Sequence, residues 1–268
     1  MKINWTKAKL TKYGLTNINY SYLDYIIHKS QPFCDIFLDH KTEQLVLPLV
    51  KNINVPVIDY FQNDKYFFYI TKHIKDALNL TQIKITPSLV KKIAHLIKDL
   101  HQIEIPTTIK TWNWKSQLEL FKGLVNTSQQ NLTSDEQKII NFFTNYEPQE
   151  LKLCHNDLVP GNILITKQQI YIIDYEYAMK NDPLFDIASF ISETIYRNNN
   201  LINHFLHEFS LTITDVKTIW WWIQYQNLIW CYWANYLWEQ TSSSIYQEIL
   251  NDKYEELQKG WTNDLLFI

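Results

Sequence analysis

The segment Leu153–Asp174, LCHNDLVPGNILITKQQIYIID, sets a histidine, two aspartates and an asparagine at spacings that suit metal-assisted phosphoryl transfer. In that chemistry the protein mainly positions the reactants and neutralises charge. The attacking hydroxyl must lose a proton, and Asp157 is the candidate base. Hard oxygen ligands must hold a divalent cation against the phosphates. Asn162 and Asp174 offer an amide oxygen and a carboxylate for one or two Mg2+ ions. His155 is placed to brace the loop.

These residues need elements to carry them. The runs LKLC, ILI and IYIID are apolar and bounded by polar turns, so they read as short buried strands. The loop His155–Asn162 then joins two strands, and Asp174 ends the next one. Upstream, the chain changes character near residue 75. Asn19–Lys29, Val57–Phe61 and Lys65–Ile70 are rich in Tyr, Ile and Phe and read as strands, with one more helical stretch at Asp39–Lys51. Beyond it helices dominate. Thr86-Pro87 looks like a helix start, and Leu89, Ile93, Leu96, Ile97, Leu100 and Ile103 follow at helical spacing. Thr133-x-x-Glu136 is a capping-box pattern ahead of Gln137–Tyr146. Thr214 and Asp215 are candidate caps for a Trp-rich helix, and Ser244-x-x-Gln247 for the last helix. The expected class is α+β, a small sheet-rich N-terminal lobe (1–72) joined to a larger helical lobe (73–268).

Composition bounds the function. The chain has 268 residues, 46% of them hydrophobic, enough for a sizeable core. A net charge of −3 without a basic stripe argues against nucleic acid. Cys34, Cys154 and Cys231 are far apart and odd in number, which fits neither a disulfide framework nor a metal knuckle. They suit a reduced, cytoplasmic setting, and MKINWTKAKL has no apolar core of signal-peptide length. The most apolar stretch, Ile219–Trp238, contains Gln224, Gln226, Asn227 and Asn235 and reads as a buried helix rather than a membrane span.

The loop His155-Asn156-Asp157 with Asn162 five residues on, followed by Asp174, resembles the protein-kinase catalytic loop and its metal-binding Asp. Pro160-Gly161 before Asn162, and Asp174-Tyr175-Glu176-Tyr177, make it more similar to the kinase-like small-molecule phosphotransferases. That group includes choline, ethanolamine and thiamine kinases and aminoglycoside phosphotransferases. A plain turn also favours Asp, Asn and Pro-Gly; the number of matched positions weighs against it. The resemblance implies a two-lobed protein-kinase-like fold that uses ATP and Mg2+. Gly14-Leu15-Thr16-Asn17 resembles the family's phosphate loop, with Tyr13 replacing its first glycine. Glu43, at the start of a helix, resembles the family's glutamate that holds a strand cation. Lys29 or His28 takes that cation's place, and Lys29 is favoured because it is charged at neutral pH. Tyr69–His73 would meet the adenine. Glu176 is expected to help a second metal or cap the following loop. Asp186, in Leu184-Phe185-Asp186-Ile187, is expected to support the catalytic loop through backbone hydrogen bonds.

The acceptor is read from the aromatics. Six of the ten tryptophans fall between Trp220 and Trp238. At helical spacing Trp222, Gln226, Trp230 and Trp233 form one stripe, and Trp221, Gln224, Leu228 and Tyr232 another. Most aromatics so spaced are core, but the density exceeds that need, and aromatic faces attract quaternary ammonium groups. Choline kinases resemble this region in using late Trp and Tyr residues with a Glu nearby; Glu193 falls at that place, with Tyr196 close in sequence. The expectation is a choline kinase. Ethanolamine, thiamine or aminoglycoside acceptors are the alternatives within the group, and a pseudokinase-like binding protein is the alternative outside it. The partner is a small molecule, with neither nucleic acid nor membrane involved and the oligomeric state left open.

Overall fold

A computed structural model of the chain describes residues 3–11 and 14–262. Packing divides it into two compact units, and the division does not follow one cut at 72/73: residues 106–109 and 159–178 group with the first 84 residues.

The first unit is built on a five-stranded antiparallel sheet. Its strands are β1 (Lys9–Leu10), β2 (Asn17–Tyr22), β3 (Tyr25–Ser30), β4 (Val57–Gln62) and β5 (Phe67–Lys72), in the order β1-β2-β3-β5-β4. The expected strand over 19–29 is a hairpin of β2 and β3, because Leu23 at φ 55° turns the chain. Alternation sends Ile27 to one face, where Tyr22, Phe68 and Ile70 form an apolar cluster. Helix α1 (His40–Val46) starts at Asp39, whose carboxylate accepts the N–H groups of Lys41 and Thr42. A smaller antiparallel sheet, β6 (Leu78–Asn79), β8 (Ile163–Ile165) and β9 (Ile170–Ile172), completes this unit.

The second unit is mainly helical. Helix α2 (Pro87–His101) has Thr86 as cap and buries Val90, Ile93, Ala94, Ile97 and Leu100 along one stripe. Each buried Ile or Leu is worth roughly 1.5–3 kcal/mol. Helix α3 (Trp114–Leu124) follows, then α4 (Thr133–Phe143). Thr133 and Glu136 do not form the expected capping box. The helix begins at Thr133 itself, and the Glu136 carboxylate is drawn to Tyr232 and Lys122 instead. Strand β7 (Lys152–Cys154) pairs with β10 (Met179–Asn181) ahead of α5 (Pro183–Phe190) and α6 (Asn199–Leu206).

Helix α7 (Ile213–Thr241) is capped by Thr212, two residues before the expected Thr214, in a capping box with Asp215. It is buried on all sides over Trp222–Leu237, because α3, α4, α5 and α8 (Ser244–Thr262) pack around it. Gly260 lets α8 come close: a Cβ there would meet Gln224 Nε2 at 1.7 Å. Among the described residues no helix is long and apolar enough to cross a membrane.

Candidate functional site

In the second unit, the β7–β10 pair delivers the loop that begins at His155, with Cys154 opposite Met179. Asp186, on the first turn of α5, is fully buried and organises this loop. Its Oδ2 accepts the His155 N–H at 2.9 Å, and its Oδ1 the Asn156 N–H at 2.8 Å. His101, at the end of α2, lies with Nε2 2.9 Å from Oδ2. An ionised carboxylate only accepts, so that ring nitrogen carries the hydrogen. Asn156 adopts φ 65°, a left-handed conformation that costs a non-glycine residue about 1–3 kcal/mol. Asn181 Nδ2 donates to its side-chain oxygen at 2.8 Å and holds it there. The loop's exit is pinned by Leu158 N–H on Ser189 Oγ at 3.0 Å. His155 is buried, and its Nδ1 accepts the Asp157 N–H at 3.3 Å, so it ties the backbone of Asp157 from within the loop. The Asp157 side chain is half-buried.

His101, Cys154 and Asp186 bring their ligand atoms within 4.8 Å of one another. They do not suit a metal: the Asp186 oxygens already accept three N–H groups, and burial pushes the Cys154 thiol well up.

In the first unit, Pro160–Asn162 form a single 3-10 turn leading into β8. The Asn162 carbonyl accepts Ile173 N–H at 2.9 Å, continuing the β8–β9 register in which Ile163 faces Ile172. Asp174 follows directly, two residues past the end of β9 and at φ 69°. The hairpin thus brings the backbones of Asn162 and Asp174, twelve positions apart, to neighbouring places. Hard oxygens of this kind suit Mg2+. The Tyr69 hydroxyl is pushed well above its ordinary value by burial, then by the negative charge of Asp174, Glu43 and Glu176. A concentration of carboxylates of this kind is also what a bound cation relieves.

Glu176 is buried and serves as a clamp. Its two oxygens accept Thr16 Oγ1 at 2.6 Å and Asn17 Nδ2 at 2.8 Å. The expected contribution to a second metal therefore competes with two hydrogen bonds, and the Thr16 and Asn17 side chains face Glu176. What the loop exposes is Gly14 and the Leu15 side chain, the latter 42% exposed. Gly14 sits at φ 112°, where a Cβ would meet Asn19 Nδ2 at 2.5 Å and the Asn17 carbonyl at 2.6 Å. Gln31 Nε2 holds the Leu15 and Thr16 carbonyls, each at 3.1 Å. Tyr13 lies outside the described residues.

The structure separates His28 from Lys29. Lys29 shares the strand face of Ile27, and its ammonium lies 3.8 Å from the centre of the Tyr66 ring. His28 takes the other face, stacked on Tyr69 with ring centres 4.0 Å apart and bonded to Thr71. Burial lowers its imidazole to about 3, so it is neutral at physiological pH. Glu43, also buried, is met instead by His40, one helical turn earlier, at 3.3 Å. His40 bonds Asp35 at 2.9 Å with its other nitrogen. Burial alone would lower its pKa, but the Glu43 and Asp35 carboxylates raise it on balance. Sequence reasoning missed His40; its i, i+3 spacing to Glu43 was the available signal.

The acceptor candidates in the second unit fall into three groups. Trp222 is a correction: it belongs to the core. Its ring packs against Phe143, Phe185 and Tyr225, and its Nε1 donates to Asp182 at 2.8 Å. Trp230 and Trp233 stand edge to face, 5.9 Å between centres, with Tyr246 of α8 against Trp233 at 5.7 Å. Glu193 lies in a one-turn π-helix, Ile191–Ile195, and pairs with Lys253 of α8. Beside it, Tyr196 is pushed up to about 12 by burial and then by Glu256. Lys253 carries no signature of its own in the sequence beyond its place on the α8 stripe.

A family model described as choline/ethanolamine kinase matches residues 27–225. The protein LicA of Haemophilus influenzae is 30% identical over 148 residues, covering 53% of this chain and 54% of the relative. The chain thus spans about half the length of such curated relatives. Among solved structures, the choline kinase LicA from Streptococcus pneumoniae superposes with a TM-score of 0.79 at 20% identity, over 94% of this chain and 92% of that one. A LicA structure in complex with AMP gives 0.77 at 18% identity, over 94% and 91%. At these identities the likeness establishes the kinase-like fold: an antiparallel sheet in the N-terminal part and a larger helical C-terminal part.

Proposed function

Given that the chain belongs to the choline/ethanolamine kinase family, we propose that it transfers the γ-phosphoryl group of ATP to the hydroxyl of choline, giving phosphocholine and ADP. The observation that carries this reading is the buried Asp186 carboxylate, which fixes the backbone of His155 and Asn156 immediately before Asp157. A base held that way acts without reorganisation. In the proposed reaction the acceptor oxygen forms a bond to the γ-phosphorus while the bond to the ADP oxygen breaks. Asp157 takes the hydroxyl proton.

Asn162 and Asp174 would hold Mg2+, which when bound neutralises phosphate charge. Gly14 to Asn17 would cover the phosphates with backbone N–H groups, clamped from beneath by Glu176. Residues 1–72 would cover the nucleotide, and 73–268 would carry the catalytic residues and the acceptor. The AMP complex of a LicA structure supports an adenine nucleotide in this fold. Glu43 with His40 would take the place given to a strand cation, since Lys29 occupies the opposite face. Glu193, Tyr196, Trp230 and Trp233 are the proposed acceptor side, in a cytoplasmic enzyme.

A second reading, ethanolamine as acceptor, draws on the loss of Trp222 from the cage, because a primary amine needs fewer aromatic walls. A binding protein without turnover draws on His40 standing at Glu43 where a strand lysine was expected.

One experiment separates these. ADP release is measured with Mg·ATP and choline, ethanolamine, thiamine or kanamycin. Turnover of choline well above the rest is expected. Turnover confined to another acceptor overturns the choline assignment and keeps the base. Nucleotide binding with no transfer to any acceptor overturns the enzyme reading.

A further inference from the structure

Helix α8 carries a lysine where its neighbours are apolar. Tyr246, Leu250, Lys253 and Leu257 recur at intervals of four, three and four, which is one face of a helix. The other three are buried, and this face packs along α7. The Lys253 side chain is only 14% exposed, and so is that of Glu193, whose Oε1 meets its ammonium. Desolvating two charges at a helix seam is an expensive way to gain stability; an apolar side chain of similar length would pack there without that penalty. The pair therefore calls for another use.

Its surroundings are consistent with one. Glu193 projects from a π-helical turn between α5 and α6, and such turns occur often at functional sites because they re-aim a side chain. Ser192 Oγ lies 3.5 Å from the same Oε1. From α7 the Cys231 thiol feels the Lys253 charge, and on α8 itself Glu256 is engaged by Arg197. Glu193 is also the one carboxylate on the proposed acceptor side, where it would meet the acceptor's ammonium group. One carboxylate then has two claimants.

We propose that Lys253 is a tethered competitor for the substrate cation: it neutralises Glu193 in the empty protein, and an amino alcohol must displace it to bind. This rests on the reading of Glu193 in the proposed function. Binding becomes an exchange of one ammonium for another on the same carboxylate. The exchange weakens affinity for the cation, spares the empty protein an unpaired buried charge, and gives no advantage to a neutral alcohol. Lys253 touches no reacting atom; it sets specificity through Glu193.

The test uses Lys253→Met and Lys253→Arg in the full chain, with choline and with 3,3-dimethylbutan-1-ol, which has carbon in place of the charged nitrogen. Methionine keeps the length and suits the apolar stripe but leaves Glu193 without its partner, so some stability is lost and the fold of each variant is checked by urea unfolding before KM is read. The expected result is a KM for choline about tenfold lower or more in Lys253→Met, the scale of one partly buried ion pair. The change falls on KM and not on kcat. KM for the neutral alcohol stays put, and Lys253→Arg restores the wild-type value for choline. In a Glu193→Gln background, Lys253→Met no longer improves choline binding. An unmoved or raised choline KM overturns the proposal. An equal fall for both alcohols also overturns it, because that result means an opened pocket rather than competition between charges. If the wild-type protein turns over no amino alcohol, the functional reading fails first; wild-type turnover with an unmoved KM in Lys253→Met removes the tether alone.

Discussion

Asp186→Asn keeps the size of a buried side chain and removes its charge, and the structure allows its cost to be worked out. The carboxylate meets three N–H groups: His155 and His101 on Oδ2, Asn156 on Oδ1. An amide has one oxygen. If it takes the Oδ2 place, His155 and His101 keep neutral hydrogen bonds, and the Asn156 N–H faces an NH2 group. If it takes the Oδ1 place, two donors are stranded, so the first orientation prevails. One orphaned buried N–H costs about 1–3 kcal/mol. Two bonds that drop from charged to neutral strength lose about 1 kcal/mol each. The sum is roughly 3–5 kcal/mol.

The orphan falls on Asn156, which is already held at φ 65°, so part of this energy is released by letting the loop relax and Asp157 move. Both stability and turnover should therefore fall. Urea unfolding, followed by tryptophan fluorescence, should show a loss of about 2 kcal/mol or more, and kcat for phosphoryl transfer should drop about thirtyfold or more. KM for ATP should change little, because the disturbance sits at the base. A protein with wild-type kcat and wild-type stability would refute the account of Asp186 as the loop's anchor. So would a loss confined to KM for ATP.

Further outcomes follow from the site. Glu176→Gln can keep both contacts, its amide oxygen still accepting from Asn17 Nδ2 and its NH2 donating to Thr16 Oγ1, whereas Glu176→Ala loses both. KM for ATP should therefore rise by less than about fivefold in the first and by about tenfold or more in the second; a Gln variant as damaged as Ala, with altered Mg2+ dependence, would mean that Glu176 binds metal instead. Asp157→Ala should lower turnover by several orders of magnitude with ATP affinity nearly intact, as expected of a group that acts in the transition state; equal loss of ATP binding would contradict the role. Asp174→Ala should weaken Mg·ATP binding itself, and unchanged metal dependence in titrations would remove Asp174 from the cation site.

The sequence alone determined the strand–loop–strand segment that carries the candidate residues and the kinds of element around it. His155, Asp157, Asn162 and Asp174 are legible because short local spacing on a strand–turn–strand pattern fixes which residues share a turn. The α2 stripe is legible for the same reason: periodicity is local, and so are caps such as Thr86. Where the expectation failed, the deciding partner came from far along the chain. Glu136 left its capping box for Tyr232, 96 residues away, and Trp222 left the cage for Asp182, 40 residues away. The choice between His28 and Lys29 turned on which face of β3 looks toward Tyr69, which strand pairing alone sets. Thr16 and Asn17 meet Glu176 across 160 and 159 residues, and Glu193 meets Lys253 across 60. A buried charge must find its partner wherever packing brings one, and no local pattern encodes that choice.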